Sequence, residues 1–117
     1  MLTDTGQGLG WGMLGERFPC FDPEARRVFQ EDVSDEDRDH AVAHLRFLEV
    51  AAASADFDEA ELGVAVPQRP GVFASRVGWD GSWMVFWRRL PVTTELPLCR
   101  IHVLSLERVP PPFPYRP

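Results

Sequence analysis

Residues 71–87 read GVFASRVGWDGSWMVFW, which is the clearest secondary-structure signal in the chain. β-Branched and aromatic side chains, which favour strands, fill both of its halves. The Asp80-Gly81 pair between the halves is a strong signal for a hairpin turn. Residues 100–109 are a further segment of strand character, with apolar side chains at Ile101, Val103, Leu104 and Leu106. The pattern therefore predicts a β-hairpin and a third strand of the same antiparallel sheet, as a three-stranded C-terminal meander.

Two helices are predicted upstream of this hairpin. The first begins at residues 22–24, where Asp22 is expected to cap the free amide groups and Pro23 suits the first helical position. The second begins at residues 34–37, which read SDED and place three acids in the first turn. We expect two short amphipathic helices in an antiparallel pair. The apolar stripe of the second is formed by Ala41, Leu45, Leu48 and Ala52, flanked by Val42 and Phe47.

The two ends of the chain differ from its centre in composition. Residues 1–12 are rich in glycine and are expected to be a flexible lead-in, whereas residues 13–18 are compatible with a first strand. Residues 110–117 contain five of the eleven prolines and are expected to form a polyproline tail. Between residues 53 and 70 the prolines leave room for at most one further helical turn. We therefore expect a single α+β domain over residues 13–109, in which an N-terminal strand and a two-helix hairpin pack on the sheet.

Charge is distributed unevenly along the chain. Residues 22–61 contain thirteen acids and four arginines, and residues 62–117 contain three acids and seven arginines. With a net charge of −1 in residues 1–21, the total is −6. Lysine is absent, which excludes a lysine Schiff base and a Walker-type phosphate site.

Cys20 and Cys99 lack the spacing of a disulfide scaffold or zinc site, so we expect reduced thiols. No apolar stretch approaches the roughly 20 residues that span a bilayer, so we expect a cytoplasmic protein without membrane contact.

No cofactor or metal site is predicted. Residues 10–15 match a dinucleotide fingerprint by letter, but no strand precedes them and Phe18-Pro19 follows in place of a helix. Glu36, His40 and His44 lie one helical turn apart and are compatible with a metal site. An exposed helix with salt bridges explains these three residues equally well.

The order of the predicted elements resembles that of the RelE/ParE superfamily of small bacterial toxins. The resemblance extends over about residues 13–116, and its motifs are degenerate. The stretches that carry it are residues 21–26 for the first helix, 38–48 for the second, 71–77 and 81–87 for the central hairpin, and 103–108 with Tyr115 and Arg116 for the terminal strand and its basic, aromatic tail.

The resemblance implies a toxin that cuts ribosome-bound mRNA and is controlled by a cognate antitoxin. In RNases of that family, cations of the sheet polarise the scissile phosphate and a tail tyrosine helps to activate the ribose hydroxyl. By this match Arg76 is the sheet arginine, Arg108 the terminal-strand arginine and Tyr115 the tail aromatic. Arg88 is the expected further cation, since alternation sends Arg88 and Arg89 to opposite faces and one of them can point toward Arg76.

Three positions depart from the pattern of these RNases. Met84 stands where active members carry a catalytic arginine, and Phe73 and Ser75 stand where they carry lysines. With the acidic overall balance, these differences make a catalytically silent relative the alternative within the family. The resemblance also leaves open whether the target is the ribosome or gyrase.

An acidic interaction protein is the alternative outside the family. Asp35, Glu36 and Asp37 open the second helix, and such a surface would fit a basic partner, as in an immunity or inhibitor protein. A solvated helix start is the simpler explanation of the same acids. Trp79 and Trp83 lie nearest to the hairpin turn and are expected to be exposed, where they would contact a partner.

Overall fold

The computed structural model describes residues 21–90 and 100–110. In this part of the chain, helices pack on a four-stranded antiparallel sheet whose strands are neighbours in sequence order, so the α+β class and the C-terminal meander are confirmed. The strand predicted at residues 13–18, the lead-in and the tail beyond Pro110 lie outside the described residues, as do both cysteines. The elements are α1 (Pro23–Glu31), α2 (Asp35–Ala51), α3 (Glu59–Leu62), β1 (Val64–Ala65), β2 (Val72–Val77), β3 (Trp83–Arg89) and β4 (Ile101–Arg108).

Asp22 connects the start of α1 to β4. Pro23 occupies the first helical turn as predicted, but the Asp22 side chain makes no capping hydrogen bond. Its Oδ1 lies 2.8 Å from Nε2 of His102, and its backbone N donates to the carbonyl of Val103 at 3.0 Å. The predicted cap is therefore wrong, because the carboxylate is used across the domain. Phe21 adds a parallel bridge to Val103, so the chain enters α1 beside β4.

The longer helix, α2, begins where the sequence predicts. Oγ of Ser34 accepts from the backbone N of Asp37 at 3.2 Å and so caps the helix. The helix has 17 residues, which corresponds to about 25 Å, so it is not short. Ala41, Leu45 and Leu48 are buried as predicted, where α2 packs against β2 and β4. Within the described ranges, no helix is long and apolar enough to cross a membrane.

A short segment links α2 to the hairpin. The four residues of α3 are the one further turn that the sequence predicts. The sequence interpretation missed β1, an edge strand of two residues that pairs Val64 with Ala74. Two residues are too few to show a period, and Pro67 and the positive φ of 69° at Gln68 follow directly. Strand β1 is thus specified by its pairing with β2 and not by its own sequence.

The hairpin turn lies at the predicted position, and its loop comprises residues 78–82. Gly78 and Gly81 adopt φ values of 100° and 74°, which glycine tolerates best. The backbone N of Ser82 donates to Oδ1 of Asp80 at 3.1 Å. Hydrogen bonding from Ser82 is the main reason that the pKa of the Asp80 carboxyl lies below its ordinary value.

The sheet has two different faces. Trp83, Val85 and Trp87 alternate along β3 and join the core beneath the helices, on what we call the helix face. Arg76, which pairs with Met84, lies on the opposite side, which we call the far face. The largest side chains that are less than 2% exposed form the centre of the core, and they are Trp87, Phe29, Leu45, Leu48, Ile101, Val85 and Val103.

Candidate functional site

Arg76 lies on the far face of β2, where backbone carbonyls bind its guanidinium group. Nη1 donates to the carbonyl of Gly81 at 2.9 Å and to that of Pro110 at 2.6 Å. The first carbonyl belongs to the hairpin turn, and the second follows the end of β4. Arg76 therefore joins the turn to the end of β4, while its side chain stays exposed.

Arg88 shares the far face with Arg76 but lies toward the other end of the sheet. Arg76 pairs with Met84 and Arg88 pairs with Val72, so four residues of strand separate them. This spacing corresponds to about 13 Å along the strand. Arg88 is exposed, which agrees with the expectation that one arginine of the Arg88-Arg89 pair lies on the face of Arg76.

Arg89 lies on the helix face and stabilises the end of α2. Its Nη2 donates to the carbonyls of Ala52 at 2.9 Å and Ser54 at 3.2 Å. Its Cζ lies 4.8 Å from the centroid of the Phe57 ring, within the range of a cation–π contact. The carbonyls at a helix C-terminus have no hydrogen-bond donor within the helix, and Arg89 supplies one. The role of Arg89 is therefore structural.

Arg108 lies on the helix face at the rim of the sheet. It pairs with Trp83, and its Cζ lies 5.4 Å from the centroid of the Trp83 ring. A shift in the register of β3 with β4 between Phe86 and Trp87 marks a bulge. Because of this bulge, Arg108 and Arg76 are on opposite faces.

The three described arginines proposed for catalysis therefore do not form one cationic cluster. Arg76 and Arg88 lie at different ends of the far face, and Arg108 lies on the helix face. Stabilising the charge of a phosphoryl transition state requires several donors directed at one position. Tyr115, the fourth predicted catalytic residue, lies outside the described residues.

The predicted acidic surface at the start of α2 is divided between internal contacts and solvent. Asp35 is exposed and pairs with Arg38 one turn later. Asp37 is half-buried, and its Oδ1 accepts from the backbone N of Trp79 at 2.8 Å. Glu36 is exposed. Asp37 thus holds the hairpin turn against α2, whereas Asp35 and Glu36 face the solvent.

The two tryptophans nearest the hairpin turn have opposite environments. Trp79 is 65% exposed, as predicted, but Trp83 is only 4% exposed, so its predicted exposure is wrong. Trp83 is the first residue of β3, and alternation places it on the helix face with Val85 and Trp87. Its indole Nε1 has no hydrogen-bond partner among the described residues. A partner would therefore meet Trp79 and not Trp83.

Two large apolar side chains of α2 are exposed, and sequence reasoning did not single them out as a surface. Phe47 is 54% exposed and Val50 is 74% exposed, although Phe47 was expected to flank the core stripe. The exposure of Phe47 could have been predicted from a helical projection. At about 100° per residue, Phe47 points roughly opposite to the buried Leu45. The surface of α2 thus carries an apolar patch beside its acids.

The three residues weighed for a metal site have different environments. Glu36 and His40 are exposed, whereas His44 is half-buried. No group of three potential metal-ligating side chains occurs in residues 21–90 and 100–110. Burial lowers the pKa of His44, because the charged imidazolium loses hydration there. Its Nε2 has no hydrogen-bond partner in the described part of the chain.

Stability is expected to fall in mild acid because of His44. Its pKa is below 6.5 in the folded state, so the unfolded chain binds this proton first as the pH drops. The contribution of His44 to stability is complete above pH 6.5 and is lost as the pH falls toward the lower, folded pKa. Urea unfolding at about pH 7.5 and about pH 5 should therefore show a smaller loss for His44→Gln than for the wild type. The matched control is the exposed His40→Gln, and an equal loss in both variants would rule out this role.

Comparison of the chain with models of protein families, with curated proteins and with solved structures gives no match. Function is therefore inferred from the α+β fold and from the contacts of the arginines, acids and aromatic side chains.

Proposed function

We propose that this chain is a cytoplasmic RelE/ParE-like toxin that acts by binding a protein target, does not cleave RNA, and is controlled by a cognate antitoxin. The order of the described elements supports this class, since the two longer helices, followed by the short α3 and β1, precede a hairpin and a terminal strand. The parallel bridge between Phe21 and Val103 also fits, because it places the chain before α1 beside β4.

The separation of the arginines is the observation that carries the proposal. Arg108 stacks on Trp83 on the helix face, while Arg76 is bound by two carbonyls on the far face. An RNase of this family needs cations around one scissile phosphate. Met84, which pairs with Arg76, stands by the resemblance where active members of the family carry a catalytic arginine. Binding of a protein, in contrast, requires no such convergence.

Charge also favours a protein target over RNA. Binding to phosphates requires a basic stripe, and the chain has a net charge of −6. Trp79 is exposed beside Asp37 at the start of α2, and aromatic side chains in such positions are frequent anchors of protein interfaces.

A second candidate is an acidic inhibitor or immunity-type protein with a basic partner. Asp35 and Glu36 are exposed at the start of α2, which favours this candidate. In that case the reversal of both charges, Asp35→Lys with Glu36→Lys, abolishes partner binding and Arg108→Ala has no effect.

The test is induced expression in bacteria at matched protein levels, with growth and transcript integrity as readouts. Wild type is expected to arrest growth without mRNA cleavage, and Arg108→Ala and Tyr115→Phe are expected to arrest it equally. Arg69→Ala is the matched arginine control, since Arg69 is an exposed residue before β2. Transcript cleavage by the wild type that Arg108→Ala abolishes would contradict the proposal. No arrest by any form would favour the acidic inhibitor.

A further inference from the structure

Two side chains of β2 are buried on the far face, although the helices pack on the other side of the sheet. Val72 and Ala74 alternate with Arg76 along the strand, and each is only 8% exposed. Among the described residues, the core cluster beneath the helices contains neither of them. Val64, which pairs with Ala74 and so shares its face, is 73% exposed at the sheet edge. A cover that lies over β2 and ends before β1 accounts for this difference.

The end of β4 brings the C-terminal chain to the same face. The backbone N of Val109 donates to the carbonyl of Ser82 at 2.8 Å, so pairing with the start of the next strand continues beyond β4 itself. The carbonyl of Pro110 then accepts from Nη1 of Arg76 at 2.6 Å. Because the Arg76 side chain lies on the far face, this hydrogen bond directs the chain after Pro110 toward that face.

The residues that follow Pro110 have the composition that an apolar strand surface would bind. Seven residues remain, and they read PPFPYRP. Their prolines lack the amide donors of a central strand and favour polyproline II. Met84 and Phe86 of β3 are half-buried beside Val72 and Ala74, so the centre of the far face is apolar. Two aromatic rings of the tail would remove this surface from water.

The spacing of the two aromatic residues matches that of the buried strand residues. In polyproline II, Phe113 and Tyr115 lie about 9 Å and about 15 Å beyond Pro110. Along β2, Ala74 and Val72 lie about 7 Å and about 13 Å beyond the arginine that binds Pro110. Each ring of the tail therefore reaches one of the two buried side chains.

We propose that the polyproline tail, residues 110–117, docks along β2 on the far face, with Phe113 against Ala74 and Tyr115 against Val72. The tail thus closes the side of the sheet that the helices leave open. The inference is independent of the proposed function.

The docked tail determines what a partner meets on this side of the domain. Arg76 and Arg88 are exposed at the two ends of the covered region. A partner that approaches the far face would contact these two arginines and the tail between them, and not the strand residues beneath it.

The first experiment is fluorine NMR of the full chain labelled with 3-fluorotyrosine, because Tyr115 is the single tyrosine of the chain. The reference is a synthetic peptide of residues 110–117 with the same label. The wild-type signal is expected to be shifted and broadened relative to that of the peptide, and Ala74→Glu should move it to the peptide position. Val64→Glu is the matched control, since it places the same charge on the far face beyond the cover, and it should leave the signal unchanged.

Circular dichroism confirms that both variants are folded. A wild-type signal at the peptide position, or an equal displacement of the signal by the two variants, would overturn the proposal.

Proton–proton contacts in the wild type test the register without any substitution. Nuclear Overhauser effects are expected between the ring of Phe113 and the methyl group of Ala74, and between the ring of Tyr115 and the methyl groups of Val72. Contacts of the two rings with the apolar patch of α2 would instead place the tail on that helix. Contacts of residues 1–20 with Ala74 would assign the cover to the other end of the chain. Either result would contradict the docking of the tail on β2.

Discussion

The Trp87→Ala variant is expected to lose about 3–5 kcal/mol of unfolding free energy, the largest effect of any substitution considered for this protein. Trp87 is 0% exposed and lies at the centre of the core. Its ring stacks on Phe73 at a centroid distance of 5.4 Å and lies 6.4 Å from the ring of Phe57. Alanine would leave a cavity between β2, β3 and the segment that follows α2.

A buried hydrogen-bond chain adds to the cost of this substitution. Nε1 of Trp87 donates to Oγ of Ser75 at 2.9 Å, and Oγ of Ser75 donates to the carbonyl of Leu62 at 2.8 Å. The indole also fills the space beside Gly63, where an added Cβ would lie 2.9 Å from Cζ2 of Trp87. Trp87 therefore connects the hairpin to the end of α3.

Urea unfolding followed by circular dichroism measures this loss. The matched control is Trp79→Ala, the same change at an exposed site, which should alter stability by no more than about 0.5 kcal/mol. Trp87→Phe keeps an aromatic ring but removes the N–H donor, and an intermediate loss is expected. Because domains are stable by only about 5–15 kcal/mol, this loss is a large fraction of the total and should clearly lower the urea concentration at the unfolding midpoint. Equal losses for the two alanine variants would contradict the importance of Trp87.

Replacing Glu49 by alanine is expected to cost about 2–4 kcal/mol, the second largest effect. Oε2 of Glu49 accepts from the backbone N of Arg100 at 2.8 Å and from that of Ile101 at 2.9 Å. These amides begin β4, so the carboxylate connects α2 to the start of that strand. Its removal leaves two amide groups in a partly buried position without their acceptor.

The experiment compares Glu49→Ala with Glu49→Gln and with Glu36→Ala. Glutamine keeps an acceptor oxygen at this position and should recover much of the loss, whereas the exposed Glu36 should have little effect on stability. Amide hydrogen exchange at Ile101 should accelerate in Glu49→Ala more than in Glu49→Gln. A loss no larger than that of Glu36→Ala would show that the two hydrogen bonds contribute nothing.

The local elements of this domain could be predicted from sequence because their signals are local. Asp80-Gly81 marks the hairpin turn, and Ser34 caps α2 at the predicted position. The core stripe of α2 follows from its period, and the same period explains the exposure of Phe47. The role of Asp22 could not be predicted in this way. Its carboxylate contacts His102, which is far away in the sequence, and does not cap the nearby helix.

The sequence shows which arginines the candidate site contains, but it does not show on which face of the sheet each of them lies. Strict alternation from the buried Ile101 and Val103 would place Arg108 on the far face with Arg76. In the structure Trp87 pairs with Val103 and Phe86 with Ser105. The extra residue between Val103 and Ser105 is the bulge that turns Arg108 to the helix face.

Local sequence signals specify the helices and the three strands of the C-terminal meander, whereas β1 forms only because it pairs with β2. Turn glycines, helix caps and hydrophobic periods act over a few neighbouring residues, so they can be read along the chain. The bulge that separates Arg108 from Arg76, and the burial of Trp83 beside a turn, arise only when the strands pair and the helices cover the sheet. Register and burial depend on which strand pairs with which, and that pairing joins residues far apart in the sequence.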